Sequence, residues 1–483
     1  MSEAARPPQR NLAEGPITRT LIAFAAPTLA SNILQSLNGS VNSIWVGRSL
    51  GEGALAATAN ANIVMFLVFS AVFGFGMAAT VKVGHCFGAR DLDAARRAFG
   101  TAIGFCGILA IIVAGAGWLF APKLLAALAT PPEAYPLALA YLRVIFIAMP
   151  ASMLTVMGSM GLRGAGDSRT PLYFMILTVA LDIVLNPLLI LGVGPFPRLG
   201  IAGSALATAI AGVVALIAMI AYVYARDLPL RLRGAELGYL IPRREELGYI
   251  VRKGLPMGAQ MLVVSGSGLV MVGLVNREGV IATAAYGAAM QLWTYVQMPA
   301  MAISAGVSAM AAQAIGAGKW DRLSKVTRSG IVLGVMLTGL LVVLLMLFDR
   351  PGLVLFLGPD SAAVPLARHI QLLATWNFVL FGITMTLFGT MRANGVVIAP
   401  LVILAISLYP VRLGFYYLFY PTLAADALWL AFPVGSVATF AMAWLAHSRQ
   451  GWRKRGKPVE PDEAAEQSEA DGEPAGRMAP AIR

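Results

Sequence analysis

The sequence predicts an all-α integral membrane protein, with 12 transmembrane helices in two parallel pseudo-symmetric six-helix lobes. Three observations predict it. Long apolar runs recur along the chain, charge is scarce, and blocks of sequence return at a nearly fixed interval.

Of 483 residues, 58% are hydrophobic and 12% are charged. A soluble domain carries roughly 25% charged residues. Half that share, with long apolar runs, places the chain in lipid. Six runs, at 18–45, 54–80, 98–120, 136–160, 171–193 and 201–224, form an N-lobe over 18–225. An Arg-rich linker, 226–253, follows. Six more runs, at 254–275, 282–310, 329–348, 364–391, 398–420 and 423–447, form a C-lobe over 254–448. Each is about 20 residues or longer, enough to cross a hydrocarbon core of ~30 Å. Barrel strands would alternate in segments of roughly 10 residues, and these runs do not. The first run is too long for the core of a cleavable signal and lacks a cleavage pattern.

The net charge of +12 suggests nucleic acid at first sight. The basic residues are instead spread through short loops. Of the 36 Lys and Arg, 28 fall on one side of the predicted membrane and 7 on the other, and Arg412 lies within a run. Positive charge collects on the cytoplasmic side, so both the N-terminal 1–17 and the tail 449–483 are expected in the cytoplasm of a bacterial inner membrane. The end of the tail, 458–483, is rich in Glu, Asp, Ala and Pro and is expected to be disordered.

The repeat is read from four blocks. Pro27 matches Pro256, Gly51 matches Gly279, Gly88 matches Gly316, and Arg163 of "RGAGDSRTP" matches Arg392 of "RANGVVIAP". The offsets are 229, 228, 228 and 229. A constant interval signals duplication. Six crossings per half is even, so both halves enter from the same side and the repeat is parallel. Two similar bundles meeting at a seam can rock and open that seam to either face. Gly/Ala-rich packing suits such motion.

A charge inside the bilayer is costly and usually functional. Two stand in mid-run, Asp182 in the fifth and Arg412 in the eleventh, and the offset sets Asp182 against Val411, beside Arg412. Asp182 and Asn186 lie four apart on one helix face. Pro187 donates no N–H and frees a carbonyl one turn back. A carboxylate, an amide oxygen and a free carbonyl suit a proton or a small cation such as Na+. An ion pair from Asp182 to Arg412 across the seam is the competing expectation. Asn38 and Asn42 on the first run, Gln260 on the seventh, Trp293 and Gln297 on the eighth, and Asn377 on the tenth could line a substrate cavity with Arg412.

Other chemistry is not indicated. "GAGDSRT" lacks the Gly-Lys-Ser/Thr ending of a phosphate-binding loop, so ATP-driven pumping is unsupported. No catalytic cluster points to an enzyme and no cofactor is implied. His85, His369 and His447 lack metal-ligand spacing, and Cys86 and Cys106 are expected reduced. Driving energy then falls to an ion gradient.

The blocks "VNSIWVGRSLGEGALAATANA", "VGHCFGARDLDAARR", "GLRGAGDSRTPL", "LDIVLNPLLILG" and "GIAGSALAT" together resemble the multidrug and toxic compound extrusion (MATE) transporters, over about residues 15–450. The resemblance implies export of organic cations, drugs or metabolites in exchange for H+ or Na+, by a chain working as a monomer. The acidic C-lobe residues of NorM-like members are missing, with Gln260 near the expected Glu. The DinF-like N-lobe pattern fits better: Asn42 stands at its first-run Asp, Asp182 and Asn186 occupy the fifth-run pair in swapped order, and Thr208 matches its sixth-run Thr. A lipid-linked oligosaccharide flippase of the same superfamily is one alternative, but a pyrophosphate calls for several basic residues, and Arg412 alone stands mid-run. A non-transporting scaffold or receptor is the other.

Overall fold

The computed structural model describes residues 12–127, 130, 132–192 and 197–449. The segment 458–483, expected to be disordered, lies outside them, as does the rest of the tail apart from Arg449. The described residues form fifteen α-helices and no strand. The first six are α1 (Ile17–Leu50), α2 (Glu52–Gly88), α3 (Leu92–Ala127), α4 (Tyr135–Gly164), α5 (Arg169–Leu191) and α6 (Ile201–Ala225). The second half holds α7 (Arg244–Arg277), α8 (Val280–Gly316), α9 (Trp320–Leu347), a short α10 (Asp349–Leu357), α11 (Ala363–Ala374), α12 (Asn377–Ala393), α13 (Ile398–Ile406), α14 (Arg412–Leu423) and α15 (Asp426–Ser448).

Eleven helical stretches are long and apolar enough to cross a membrane, and α11 with α12, bent by 46°, supplies a twelfth. The tenth run, expected as one helix, is therefore broken at Thr375–Trp376. The eleventh is continuous through one π-helical turn, Ser407–Val411, that joins α13 to α14. The linker is shorter than expected because α7 starts at Arg244. What remains carries a 3-10 turn, Gly234–Leu240, lying on α3. Gly100 and Gly104 admit the Tyr239 and Leu240 backbones there, where a Cβ would collide.

The two halves pack alike. In the first lobe α4 lies against α2, α3 and α6, and α5 against α6; in the second α12 lies against α8, α9 and α15, and α14 against α15. The equivalent turns are alike too. Gly51 and Gly279 adopt φ of 84° and 99°, which glycine alone adopts without strain.

Away from the linker the lobes have separate cores. One gathers Val46, Ala61, Leu142 and Ile201 of the first lobe, and another gathers Met271, Tyr286, Trp429 and Ala431 of the second. Toward the linker the cores are shared. Phe24 shares a cluster with Val307, Val81 with Ala311 and Ala393, Phe75 with Ile250, and Met77 with Met257. Small residues allow this closeness: Gly74 of α2 faces Gly254 and Gly258 of α7 with no room for a Cβ. The molecule is thus closed at its linker end and divided at the other. Cys86 and Cys106 are free and buried.

Candidate functional site

Asp182 sits in the middle of α5, 1% exposed, with Asn186 one turn on and also 1% exposed. Thr208 of α6 donates to Asp182 Oδ1 at 3.0 Å. The Asn186 amide nitrogen donates to the backbone carbonyl of Asp182 at 2.9 Å. One Asn186 N–H is therefore spent on its own helix, and its oxygen receives no hydrogen bond. The Asn38 side chain, from α1, lies against the carboxyl as well. Two buried amide oxygens in this cluster, Asn186 Oδ1 and Asn38 Oδ1, receive no hydrogen bond from the described residues, and Asp182 Oδ2 has only the Asn38 and Asn186 side chains beside it. Buried acceptors without a donor are rare and costly. Two such amide oxygens beside a carboxylate are what a proton or a small cation satisfies.

A cavity of about 230 Å³ opens onto this cluster, in the half of the lobe away from the linker. Asn38, Asn42, Asn62, Tyr141, Ser152 and Thr208 supply its polar wall, and Met65, Phe69 and Met149 its apolar wall. Ligand sites for drug-sized molecules run to roughly 300–1,000 Å³. This one has room for an ion and waters or a small aromatic ring.

Asn42 is turned elsewhere: its Oδ1 accepts the Ser204 hydroxyl at 2.7 Å. Asn38 and Asn42 share a face, and the axial register of α1 against α5 and α6 decides which meets the acid. Tyr141 of α4, 4% exposed, stands close enough for the Asp182 charge to act on it. Sequence reading passed over Tyr141 and Ser204. A tyrosine in the middle of the apolar run 136–160 was the available signal.

The second-lobe residues do not join the Asp182 cluster, although Trp293 and Arg412 both pack on Phe432. The Gln260 amide donates to the Val397 carbonyl at 3.0 Å, tying α7 to the α12–α13 turn. Trp293 Nε1 donates to Gln371 Oε1 at 2.8 Å and Thr375 Oγ1 at 2.9 Å. The Ser436 hydroxyl donates to Asn377 Oδ1 at 3.0 Å. Gln297, on α8, is half-buried. Arg412 stacks on Phe432, 4.7 Å from the ring centre, and its Nη1 lies 3.4 Å from the Ser267 hydroxyl. The structure does not bring Arg412 to Asp182; each has its partners within its own lobe.

A buried acid whose partners line a cavity, in one of two duplicated lobes, invites comparison with known proteins. The chain matches the MatE family over residues 27–188 and again over 256–418, one match per lobe. The chain belongs to the MatE family. A curated relative, the probable multidrug resistance protein YoeA of Bacillus subtilis (strain 168), is 34% identical over 441 residues, covering 91% of this chain and 95% of its own length. A crystal structure of MATE in complex with MaL6 superposes with a TM-score of 0.86 at 22% identity, covering 93% of this chain and 100% of that one. The outward-facing conformation of a multidrug resistance MATE family transporter gives 0.85 at 22% identity, covering 93% and 99%. Members of the MatE family are membrane transporters, and this chain is a transporter and not an enzyme. Among the described residues no group of His, Cys, Asp or Glu could hold a metal ion through three or more such ligands. In this MatE chain the acid cluster therefore offers a single carboxylate.

Proposed function

We propose that this MatE transporter is a secondary antiporter of the bacterial inner membrane, working as a monomer with both termini in the cytoplasm. It exports small organic molecules, organic cations foremost, in exchange for H+ or Na+ carried at Asp182 in a DinF-like arrangement. The observation that carries this reading is the pair of undonated amide oxygens beside one buried carboxyl, whose partners Asn38 and Thr208 line an open cavity. Asn38, Asn186 and Thr208 hold the coupling ion with it, and Asn42 shapes the cavity wall.

The bias of Lys and Arg toward the linker side supports a cytoplasmic linker. On that assignment the shared cores close the cytoplasmic side and the divided side faces out. An entering ion reaches Asp182 from outside, and its arrival disfavours a cationic substrate at the same acceptors. One carboxylate implies that a monovalent cation exchanges for one ion. Such exchange moves no net charge, so the membrane potential, worth ~2.3 kcal/mol per charge per 100 mV, adds nothing to it.

Everted membrane vesicles test this. A fluorescent organic cation should accumulate under an imposed pH or Na+ gradient, and Asp182→Asn should abolish the accumulation. Undiminished accumulation in that variant refutes Asp182 as the coupling site.

A further inference from the structure

The acid cluster of the first lobe and an aromatic cluster of the second leave opposite kinds of polar group unsatisfied. In the first lobe the undonated atoms at the acid cluster are acceptors. In the second they are donors: Arg412 Nε, Trp429 Nε1 and Gln371 Nε2 are buried and meet no acceptor among the described residues. Trp429 and Gln371 are 0% and 1% exposed. All three belong to one aromatic cluster. Trp429 stacks on Tyr286 with ring centres 6.0 Å apart, Phe432 lies 5.8 Å from Tyr286, and Arg412 covers the other ring of that pair. Gln371 joins through Trp293, which touches both Tyr286 and Phe432.

Arg412 is the centre of this arrangement. A guanidinium carries five N–H donors, and here it has one long contact to a hydroxyl and no carboxylate within ion-pair distance among the described residues. Its position is built. Arg412 follows directly on the π-helical turn Ser407–Val411, a distortion found mostly at functional sites. Gly435 of α15 clears space for it, since a Cβ there would stand 3.1 Å from Arg412 Nε. A cation on an aromatic face, half-open and without a counter-ion, is prepared for an anion that arrives with a ring of its own.

We propose that Arg412, with the Phe432 and Tyr286 rings, forms a subsite for the carboxylate of an aromatic zwitterionic substrate. This rests on the transporter reading and deepens it. The substrate's cationic end turns to the acid cluster of the first lobe, and its acidic end turns to Arg412 in the second. A substrate bearing both signs thus bridges the seam, and a purely cationic one leaves Arg412 uncompensated.

The test uses the purified full-length chain in detergent and two dyes with one ring system. Rhodamine 110 carries a free carboxyl, and rhodamine 123 is its methyl ester. Fluorescence anisotropy should show the free acid bound about tenfold more tightly than the ester, the scale of one charge-assisted hydrogen-bonded contact. Arg412→Gln should remove that preference. Arg412→Lys should restore part of it. Equal binding of the two dyes by wild type, no binding of either, or an acid preference surviving in Arg412→Gln overturns the proposal. The wild-type comparison needs no variant, so a misfolded substitution leaves the test standing. It also needs no gradient, so its outcome is separate from that of Asp182→Asn in vesicles.

Discussion

His85 and Gln313 occupy equivalent places on α2 and α8, 228 residues apart, and each reaches across the seam to the other's lobe. His85 Nε2 donates to the Ala393 carbonyl at 2.7 Å, and Gln313 Nε2 donates to the Gly164 carbonyl at 3.0 Å. The two acceptors are themselves equivalent in the repeat, at the ends of α12 and α4. Beside them, a Cβ on Gly88 would strike the Gln313 backbone, and one on Gly316 the His85 backbone. Duplication has produced a two-fold latch at the closed end of the molecule.

Opening that end requires both hydrogen bonds to break. A net hydrogen bond contributes about 1 kcal/mol, so losing two shifts the balance of states by roughly 30-fold. The double variant His85→Ala with Gln313→Ala should therefore populate the form open at the linker end. Spin labels at Arg90 and Gly318, with Cys86 and Cys106 replaced, should report a longer distance by pulsed electron paramagnetic resonance. An unchanged distribution would contradict the latch.

Gln313 does a second thing: its Oε1 accepts the backbone N–H of Leu12 at 2.9 Å. The segment ahead of α1 is strapped further by Arg322, which donates to the carbonyls of Leu12, Glu14 and Gly15 at 2.8–3.0 Å. Arg322→Ala should release this strap. Hydrogen–deuterium exchange over residues 12–17 should accelerate at least tenfold, with exchange in α4 unchanged.

Asn38 and Asn42 separate the two jobs within the cavity. Asn38 lies against the Asp182 carboxyl, whereas Asn42 is engaged by Ser204. Asn38→Ala should lower gradient-driven transport about tenfold, and Asn42→Ala no more than about threefold, as expected for contacts to a charged and to a neutral group. Transport assays in proteoliposomes at equal protein content decide this. The reverse order would move the coupling role to Asn42.

Asp167 caps α5 and so holds the helix that carries Asp182. Its Oδ1 accepts the backbone N–H groups of Arg169 and Thr170, both at 3.0 Å. Removing such a cap costs about 1 kcal/mol. Asp167→Ala should lower the apparent melting temperature by about 1–3 °C in detergent while Asp167→Asn stays near wild type. Size-exclusion chromatography after heating measures it.

The twelve crossings and the two lobes were legible because the bilayer imposes a long apolar run on every span, and because the repeat glycines cannot vary where backbones touch. Asp182 stood out as a candidate for a similar reason, since a lone acid in such a run is costly and usually functional. What sequence could not supply depends on neighbours. The choice between Asn38 and Asn42 is set by the axial position of one helix against two others. Gln260 and Gln313 look alike in the sequence, yet one ties α7 to a turn of its own lobe and the other joins the lobes. The bend at Thr375–Trp376 carries no proline or glycine, and the strap at 12–16 reads as polar chain until Arg322, three hundred residues on, folds over it.

The central claim is that Asp182 couples ion movement to substrate movement. Proteoliposomes separate that coupling from substrate binding. With no gradient, counterflow of a preloaded fluorescent organic cation should proceed in both wild type and Asp182→Asn, because it needs only the rocking lobes and the cavity. With an imposed pH or Na+ gradient, each varied alone, wild type should drive uptake against concentration and Asp182→Asn should drive none. Gradient-driven uptake by Asp182→Asn at the wild-type rate would contradict the account.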